Sequence, residues 1–264
     1  MFKQRLLNTI IWFFVIILAI KYQPVFASCL MALIVAGLFE FFSLIEKKGI
    51  HIYKYFGMAI GITIPLSVLF RFELTKGWEL LFIVLALLTL FILQLVRQDN
   101  SQAVVGVSTT LFGILYVSWF LSFLIKIRYL PGGQGYLSAI LLMTKSSDIG
   151  AYLIGSRFGR HRLIPWISPK KTIEGSIGGL LFGIIAALIS KPFFGFSYAH
   201  MAILGLSIGV VAELGDLSES LIKRDCQVKD SGFLFPGMGG VLDLIDSLLF
   251  TAPVFYFYLS NVLE

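Results

Sequence analysis

The chain has 264 residues, of which 58% are hydrophobic and only 14% are charged, and its mean hydropathy is +0.90. Soluble domains are roughly half apolar and about a quarter charged, so this composition excludes an ordinary soluble protein and predicts an integral membrane protein. The net charge of +6 does not indicate nucleic-acid binding, because short cytoplasmic loops of membrane proteins collect lysine and arginine.

Apolar runs long enough to cross a bilayer as helices recur along the whole chain. They predict an all-α, polytopic membrane fold with about nine transmembrane helices. The predicted spans are 7–21, 24–45, 53–70, 77–96, 103–125, 134–155, 175–190, 197–213 and 240–261. The first run also resembles a signal peptide that ends before Cys29, but Phe26 fits a cleavage site poorly, so we favour a retained first span.

Lysine and arginine are distributed unevenly between the segments that join these spans. With the N-terminus in the cytoplasm, fourteen of the 21 basic residues lie in cytoplasmic segments and six lie outside. This bias predicts an N-in, C-out orientation. The same orientation brings the two most polar loops, 156–174 and 214–239, to the cytoplasmic side of the membrane.

The sixth predicted span contains two opposite charges, Lys145 and Asp148, three residues apart. Residues at this spacing share one face of a helix, so an ion pair within the helix would make both charges tolerable in the membrane. Taken alone, the pattern favours this structural interpretation over a functional one.

The first polar loop continues into "SPKKTIEGSIGG", which runs from Ser168 to Gly179. Lys170 and Lys171 precede an expected helix start and suit a polyanion such as a triphosphate. Anchoring at the cytoplasmic face would explain the two lysines equally well. Gly175 and Gly179 are typical of close helix packing.

Four polar residues follow one another at helical spacing where the eighth span ends. If the helix continues, Glu213, Asp216, Ser220 and Lys223 lie on a single face, because they are 3, 4 and 3 residues apart. Acidic residues at the edge of a span are costly and usually functional.

Two further carboxylates, Asp243 and Asp246, share a face near the start of the ninth span. Carboxylates that converge near one membrane face favour a hard divalent cation, most simply Mg²⁺. The alternative is a set of structural salt bridges with nearby lysines and arginines. Between the two acidic groups lies "PGMGG", 236–240, whose glycines predict either a phosphate cradle before a helix or a simple turn.

Together these segments resemble the phosphatidate cytidylyltransferase family, the CDP-diacylglycerol synthases. "SDIGAYLIGSRFG" and "SPKKTIEG" also look like segments of that family, which strengthens a functional role for Asp148. The resemblance covers roughly residues 140–250. In register with the family signature are Ser220, Lys223, Arg224, Lys229, Asp230, Gly232, Pro236, Gly237, Gly239, Gly240, Asp243, Asp246 and Ser247.

The resemblance implies a transferase that moves the cytidylyl group of CTP to phosphatidate and releases pyrophosphate, in phospholipid biosynthesis. It implies CTP, phosphatidate and the lipid bilayer as partners, no nucleic acid, and a bacterial inner-membrane location with the active site facing the cytoplasm; a homodimer stays open. Residues 1–130 would then form N-terminal transmembrane helices and residues 131–264 the catalytic region of one membrane-embedded unit.

The resemblance also assigns roles to individual residues, with Mg²⁺ as cofactor and a second cation left open. Glu174, Asp148 and Glu213 are weaker candidates for supporting roles. The catalytic candidates are Ser220, Lys223, Arg224 and Asp243. The substrate-binding candidates are Lys170, Lys171, Lys229, Gly237, Gly239 and Gly240. The metal ligands are Asp216, Asp243 and Asp246.

Two positions depart from the family pattern: Met238 stands where the family usually has His, and Leu244 where it usually has Arg. Neither side chain binds phosphate as the usual residue could. If the usual residues are required, this chain has a lower rate or acts on a variant substrate. The alternatives are therefore a related CTP-dependent transferase that acts on another lipid phosphate, and an ion or phosphate transporter, whose intramembrane carboxylates would bind the transported ion.

Overall fold

In a computed structural model of the protein, the structure describes residues 14–72, 78–97, 99–232 and 239–263. Most of these residues form helices, which short connections and one antiparallel hairpin join. The elements are α1 (Gln23–Lys47), α2 (Lys54–Leu69), α3 (Trp78–Val96), α4 (Ala103–Gly113), a π-helical turn (Ile114–Trp119), α5 (Phe120–Tyr129), α6 (Gly133–Phe158), β1 (Arg162–Ile164), β2 (Ser168–Thr172), α7 (Ile173–Ile189), a 3₁₀ turn (Lys191–Phe193), α8 (Tyr198–Asp225) and α9 (Val241–Leu263).

Six of the described helices are long and apolar enough to cross a membrane; α4, the π-helical turn and α5 count as one of them, Ala103–Tyr129. The other five are α1, α3, α6, α8 and α9, while α2 and α7 are shorter apolar helices. A helix thus lies at each predicted span from 24–45 onwards. Of the span 7–21, residues 14–21 are helical and residues 7–13 fall outside the described residues. The all-α membrane class is confirmed, whereas nine spans and the N-in, C-out orientation stay predictions.

The chain divides into two compact units. The boundary predicted between residues 130 and 131 stays a prediction. The first unit comprises residues 1–125 and 226–242, and the second comprises 126–225 and 243–264. In the first unit, α1 buries Leu38, Phe41 and Phe42. A side chain on Gly57 of α2 would collide with Phe42, so the glycine permits α1 and α2 to pack closely.

In the second unit, α6 and α7 approach each other through small residues. A Cβ atom on Gly175 would lie 2.9 Å from the carbonyl oxygen of Ala151, and one on Gly179 would lie 3.0 Å from that of Ser147. The interpretation of Gly175 and Gly179 as packing glycines is confirmed. Thr172 begins α7 as its N-cap, because its hydroxyl accepts a hydrogen bond from the Gly175 N–H.

The eighth predicted span continues as a helix well beyond its predicted end at residue 213. Helix α8 has 28 residues and ends at Asp225. The condition for placing Glu213, Asp216, Ser220 and Lys223 on one face is therefore met. These side chains are carried by a single rigid element rather than by a loop.

Candidate functional site

A cavity of about 560 Å³ opens in the second unit between α6, the β1–β2 hairpin, α7 and α8. Its polar lining separates by charge: the hairpin contributes bases and the helices contribute acids. Small residues of α6 and α7, including Gly155 and Gly175, leave the space free. The bases are Arg162, Lys170 and Lys171, and the acids are Asp148, Glu213 and Asp216.

The hairpin and α8 meet in an ion pair between two predicted site residues. Lys171 Nζ lies 2.7 Å from Asp216 Oδ2. The predicted phosphate-binding lysine and the predicted metal ligand therefore neutralise each other. Lys170 precedes Lys171 in β2 and lines the same cavity.

Glu174 supports the hairpin from the first turn of α7. Its carboxylate accepts hydrogen bonds from the main-chain N–H groups of Arg160 and His161, and it lies 2.6 Å from His161 Nδ1. These bonds, the Arg160 N–H first, lower the pKa of Glu174 from 4.5 to about 2. Glu174 is therefore an anion that holds the hairpin, which agrees with the supporting role expected for it.

Glu213 and Ser176 join α8 to α7 beside the cavity. The Ser176 hydroxyl donates to Glu213 Oε2 at 2.5 Å. The bond fixes the direction of the Glu213 carboxylate, so that it lines the cavity with Asp216 one turn further along α8.

Asp148 belongs to a polar network that includes three residues of α9. Lys145 Nζ donates to Asp148 Oδ2 at 2.9 Å and to the carbonyl oxygen of Leu244 at 3.0 Å. The Ser247 hydroxyl donates to Asp148 Oδ1 at 2.8 Å, and the Ser247 N–H donates to Asp246 Oδ1 at 2.6 Å. The ion pair predicted within α6 is confirmed, and the structure extends it to the start of α9.

Lys223 lies between two carboxylates. Its Nζ is 2.5 Å from Asp243 Oδ1, and it also pairs with Glu219, whose side chain is only 2% exposed. The predicted catalytic residues Lys223 and Asp243 thus form one cluster with Glu219. Ser220, next to Glu219, is buried.

Arg224, also predicted to be catalytic, extends along the hairpin. Its Nε donates to the carbonyl oxygen of Ile167 at 3.0 Å. Ile167 precedes β2, so this contact ties the C-terminal turn of α8 to the strand that carries Lys170 and Lys171. The side chain therefore supports the hairpin.

The donor chemistry of Asp216, Asp243 and Asp246 fits Mg²⁺, which prefers carboxylate oxygens. In the part of the chain that the structure describes, however, no three His, Cys, Asp or Glu residues are grouped to hold a metal ion. Two of the predicted ligands are engaged by lysines, Asp216 by Lys171 and Asp243 by Lys223. Mg²⁺ at these three aspartates stays a prediction. For the ion to bind, Lys171 must move away from Asp216 and Lys223 from Asp243.

The remaining predicted residues lie in the segment 226–242, which belongs to the first unit. Gly237, like Met238, falls outside the described residues. Gly239 has a φ of +93°, a conformation that L-residues rarely adopt, which explains the glycine there. Lys229 and Gly240 belong to the same segment, and a side chain on Gly240 would collide with Ser231 and come within 2.5 Å of Glu40 Oε2.

Several polar residues of these clusters were not singled out from the sequence. Glu219 precedes Lys223 by four residues, the spacing of a helical ion pair, and could have been found by that signal. Glu40 is an acidic residue in the middle of an apolar run, which is itself a functional signal. Arg162 gave no signal, because only the hairpin brings it to the cavity.

Comparison with known proteins extends the resemblance over almost the whole chain. The model of the cytidylyltransferase family matches residues 3–262, well beyond the range 140–250 that the motifs covered. A protein named phosphatidate cytidylyltransferase from Synechocystis is 33% identical over 90% of this chain and 89% of its own length. Proteins of the same name from Bacillus subtilis and Thermotoga maritima are each 32% identical, over 98% and 92% of this chain and 97% and 90% of their own lengths. The chain therefore belongs to the cytidylyltransferase family.

Proposed function

We propose that this chain is a membrane-embedded enzyme that transfers the cytidylyl group of CTP to phosphatidate in phospholipid biosynthesis. The observation that carries the proposal is the charge-divided cavity of the second unit, in a chain whose full-length relatives are named for this activity. Nucleotidyl transfer joins two polyanions, so it needs a site where bases and acids face one space.

In the reaction, a phosphate oxygen of phosphatidate forms a bond to the α-phosphorus of CTP. The bond from that phosphorus to the oxygen that bridges to the β-phosphorus breaks, and pyrophosphate leaves with the electron pair. A phosphate monoester has a second pKa of about 6, so it is mostly ionised at pH 7 and needs no base to become a nucleophile. The protein's task is to position the two phosphates in line and to neutralise their charge.

The bases of the hairpin are suited to the phosphates of the nucleotide. Lys170, Lys171 and Arg162 line the cavity together on one short hairpin, whose position is set by Glu174 and Arg224. Lysine acts on phosphate as a point charge, and arginine adds a forked donor. Lys171 leaves Asp216 when it binds a phosphate.

Asp216, Asp243 and Asp246 would hold Mg²⁺, which would neutralise the phosphates of CTP as the bond to pyrophosphate breaks. Lys223, released from Asp243, would remain paired with buried Glu219 and stay beside the phosphates. Ser220 would contact a phosphate or one of the metal ligands.

The proposed location is the inner membrane of a bacterium, in an N-in, C-out orientation that places the cavity on the cytoplasmic side, where CTP is made. The support for this orientation is the basic-residue count: N-in puts fourteen of the 21 lysines and arginines in cytoplasmic segments, among them Lys170 and Lys171 of the hairpin. A homodimer stays a prediction.

The test uses the purified full chain in lipid vesicles with labelled CTP, phosphatidate and Mg²⁺. We expect CDP-diacylglycerol and pyrophosphate in equal amounts. If CTP is consumed only when another lipid phosphate replaces phosphatidate, the chain is the related transferase. If neither lipid yields a CDP-lipid, the proposal is wrong.

A further inference from the structure

Glu40 is a buried acidic residue of α1 to which no role has been assigned. Glu40 is only 5% exposed. It lies in α1, which is one of the helices apolar enough to span the membrane. Burying a carboxylate is costly unless hydrogen bonds compensate it. Its partners therefore indicate what it is for.

The partners of Glu40 all belong to the segment 226–242, about 200 residues further along the chain. Oε2 accepts a hydrogen bond from the Leu242 N–H at 3.0 Å and from the Ser231 hydroxyl at 3.2 Å. The other oxygen, Oε1, has no hydrogen-bond partner among the described residues. The carboxylate is thus aimed at this segment and only partly compensated, which makes packing alone a poor reason for it.

Two glycines of the segment, Gly232 and Gly240, lie against the Glu40 carboxylate. A side chain on Gly232 would collide with the Glu40 carboxylate, and the three atoms nearest to its Cβ all belong to Glu40. Gly232 does not have a positive φ, so its backbone would otherwise accept alanine. Gly240 is similarly confined by Glu40, and there also by Ser231 and the Gly232 main chain.

We propose that Glu40 is a positioning residue for cytidylyl transfer: it holds Ser231 and Leu242, and with Leu242 the start of α9, in the arrangement that the reaction needs. The inference rests on the proposed function for its catalytic part only. Leu242 is followed directly by Asp243 in α9, so the hydrogen bond to its N–H fixes the amide immediately before a predicted metal ligand.

The kinetic test compares Glu40→Ala and Glu40→Gln with Gln94→Ala, in the full chain with CTP, phosphatidate and Mg²⁺. Gln94 is a matched control, because it is equally buried in the same unit and bonds Tyr53 instead of the segment. We expect Glu40→Ala to lower kcat about 100-fold, as a misplaced reacting group does. Glu40→Gln should lose less, because its amide oxygen still accepts from Leu242. Gln94→Ala should stay within about twofold of the wild type. Equal losses at Glu40 and Gln94 would overturn the proposal.

A double-mutant cycle isolates the contact from general damage. Gly232→Ala should impair the protein about as much as Glu40→Ala does, in both kcat and unfolding temperature. The double variant Glu40→Ala/Gly232→Ala should be no worse than Glu40→Ala, since the three atoms nearest to the new methyl group all belong to the Glu40 side chain. Additive losses would show that Gly232 is not reserved for Glu40, and would reject the mechanism.

Hydrogen exchange supplies a measurement that does not depend on activity. In both Glu40 variants the peptide that contains Leu242 should exchange faster, most in Glu40→Ala, while peptides of α6 and α7 exchange as in the wild type. Unchanged exchange at Leu242 in both variants would contradict the positioning role. If the wild type makes no CDP-lipid, the proposed function fails, while exchange and the unfolding cycle still decide whether Glu40 holds the segment.

Discussion

Lys171 of the hairpin and Asp216 of α8, which both line the charge-divided cavity, form an ion pair at 2.7 Å. Each residue is a predicted partner of the substrate complex, the lysine for phosphate and the aspartate for Mg²⁺. When a nucleotide with its cation enters, both partners can be exchanged at once, and neither charge is left uncompensated. The ion pair therefore keeps the site stable before the substrate arrives.

Lys171→Met should raise the KM for CTP about tenfold or more, because a charged hydrogen bond to phosphate is lost. Steady-state kinetics with CTP as the varied substrate checks this. Lys48→Met is the control, since Lys48 is an exposed lysine at the end of α1 and leaves the cavity untouched. A KM for CTP that is unchanged in Lys171→Met would contradict phosphate binding by this side chain.

Asp246→Asn should lower kcat about 100-fold or more, because the substitution removes a carboxylate charge at the predicted Mg²⁺ site. Chelation of divalent cations should abolish the activity of the wild type, and added Mg²⁺ should restore it. For the variant, a higher Mg²⁺ concentration should recover part of the rate. A variant with the wild-type rate and the wild-type Mg²⁺ dependence would remove Asp246 from the metal site.

Lys145 places a cation next to residue 244, where this chain lacks the arginine usual in the family. Its Nζ donates to the Leu244 carbonyl oxygen and balances Asp148. Lys145→Met should therefore lower kcat about tenfold or more, because the acids of the network lose their counterion. The double variant Lys145→Met/Leu244→Arg should recover most of that loss. Leu244→Arg alone should give no gain. Failure of the double variant to recover, while it folds normally, would show that the two cations are not equivalent.

Glu219 should contribute to stability through its buried ion pair with Lys223. Removing one partner of a buried pair costs about 3–5 kcal/mol when the other charge is left uncompensated. Asp243 still pairs with Lys223 after Glu219 is removed, so we expect a smaller loss. Glu219→Ala should accordingly lower the unfolding temperature in detergent by several degrees. Glu46→Ala removes an ion pair of similar length with Lys54, but Glu46 is half exposed, so we expect little change there. Equal shifts for the two variants would contradict this.

The hairpin should hold together at mildly acidic pH because of Glu174. The pKa of Glu174 in the folded protein, about 2, lies below the ordinary value of 4.5. Its contribution to stability is therefore complete above about pH 4.5 and is lost as the pH falls towards 2. Fluorescence of Trp166, at the turn of the hairpin, should stay constant from pH 7 to pH 5 in a variant whose other tryptophans are phenylalanine. In Glu174→Gln, the Trp166 fluorescence at pH 7 should already differ from that of the protein with Glu174 intact.

The sequence allowed the helices to be predicted well, because a span is a local property of about 20 consecutive apolar residues. The face of α8 that carries Glu213, Asp216, Ser220 and Lys223 could be predicted for the same reason, since helical spacing is local. The hairpin could not, because strands of three and five residues have no hydrophobic period of their own.

The sequence did not allow the pairings between these polar residues to be predicted, for a different reason. Lys171 with Asp216, Lys145 with Leu244 and Glu40 with Leu242 join residues 45, 99 and 202 positions apart. Charge and spacing show that these residues are unusual, but only the packing of helices decides which of them meet. The sequence therefore identified most of the participants without identifying their partners.

Helix α8, with its 28 residues, is about 42 Å long, whereas the hydrocarbon core of a bilayer is about 30 Å thick. If the excess of about 12 Å lies at the C-terminal end, roughly the last two turns, with Ser220 and Lys223, stand in the headgroup layer just beyond Asp216. The phosphate of a diacylglycerol phosphate lies at this same depth while its acyl chains remain in the membrane. A lipid substrate would thus reach the carboxylates by lateral diffusion within the bilayer. Only the water-soluble nucleotide would have to bind from solution.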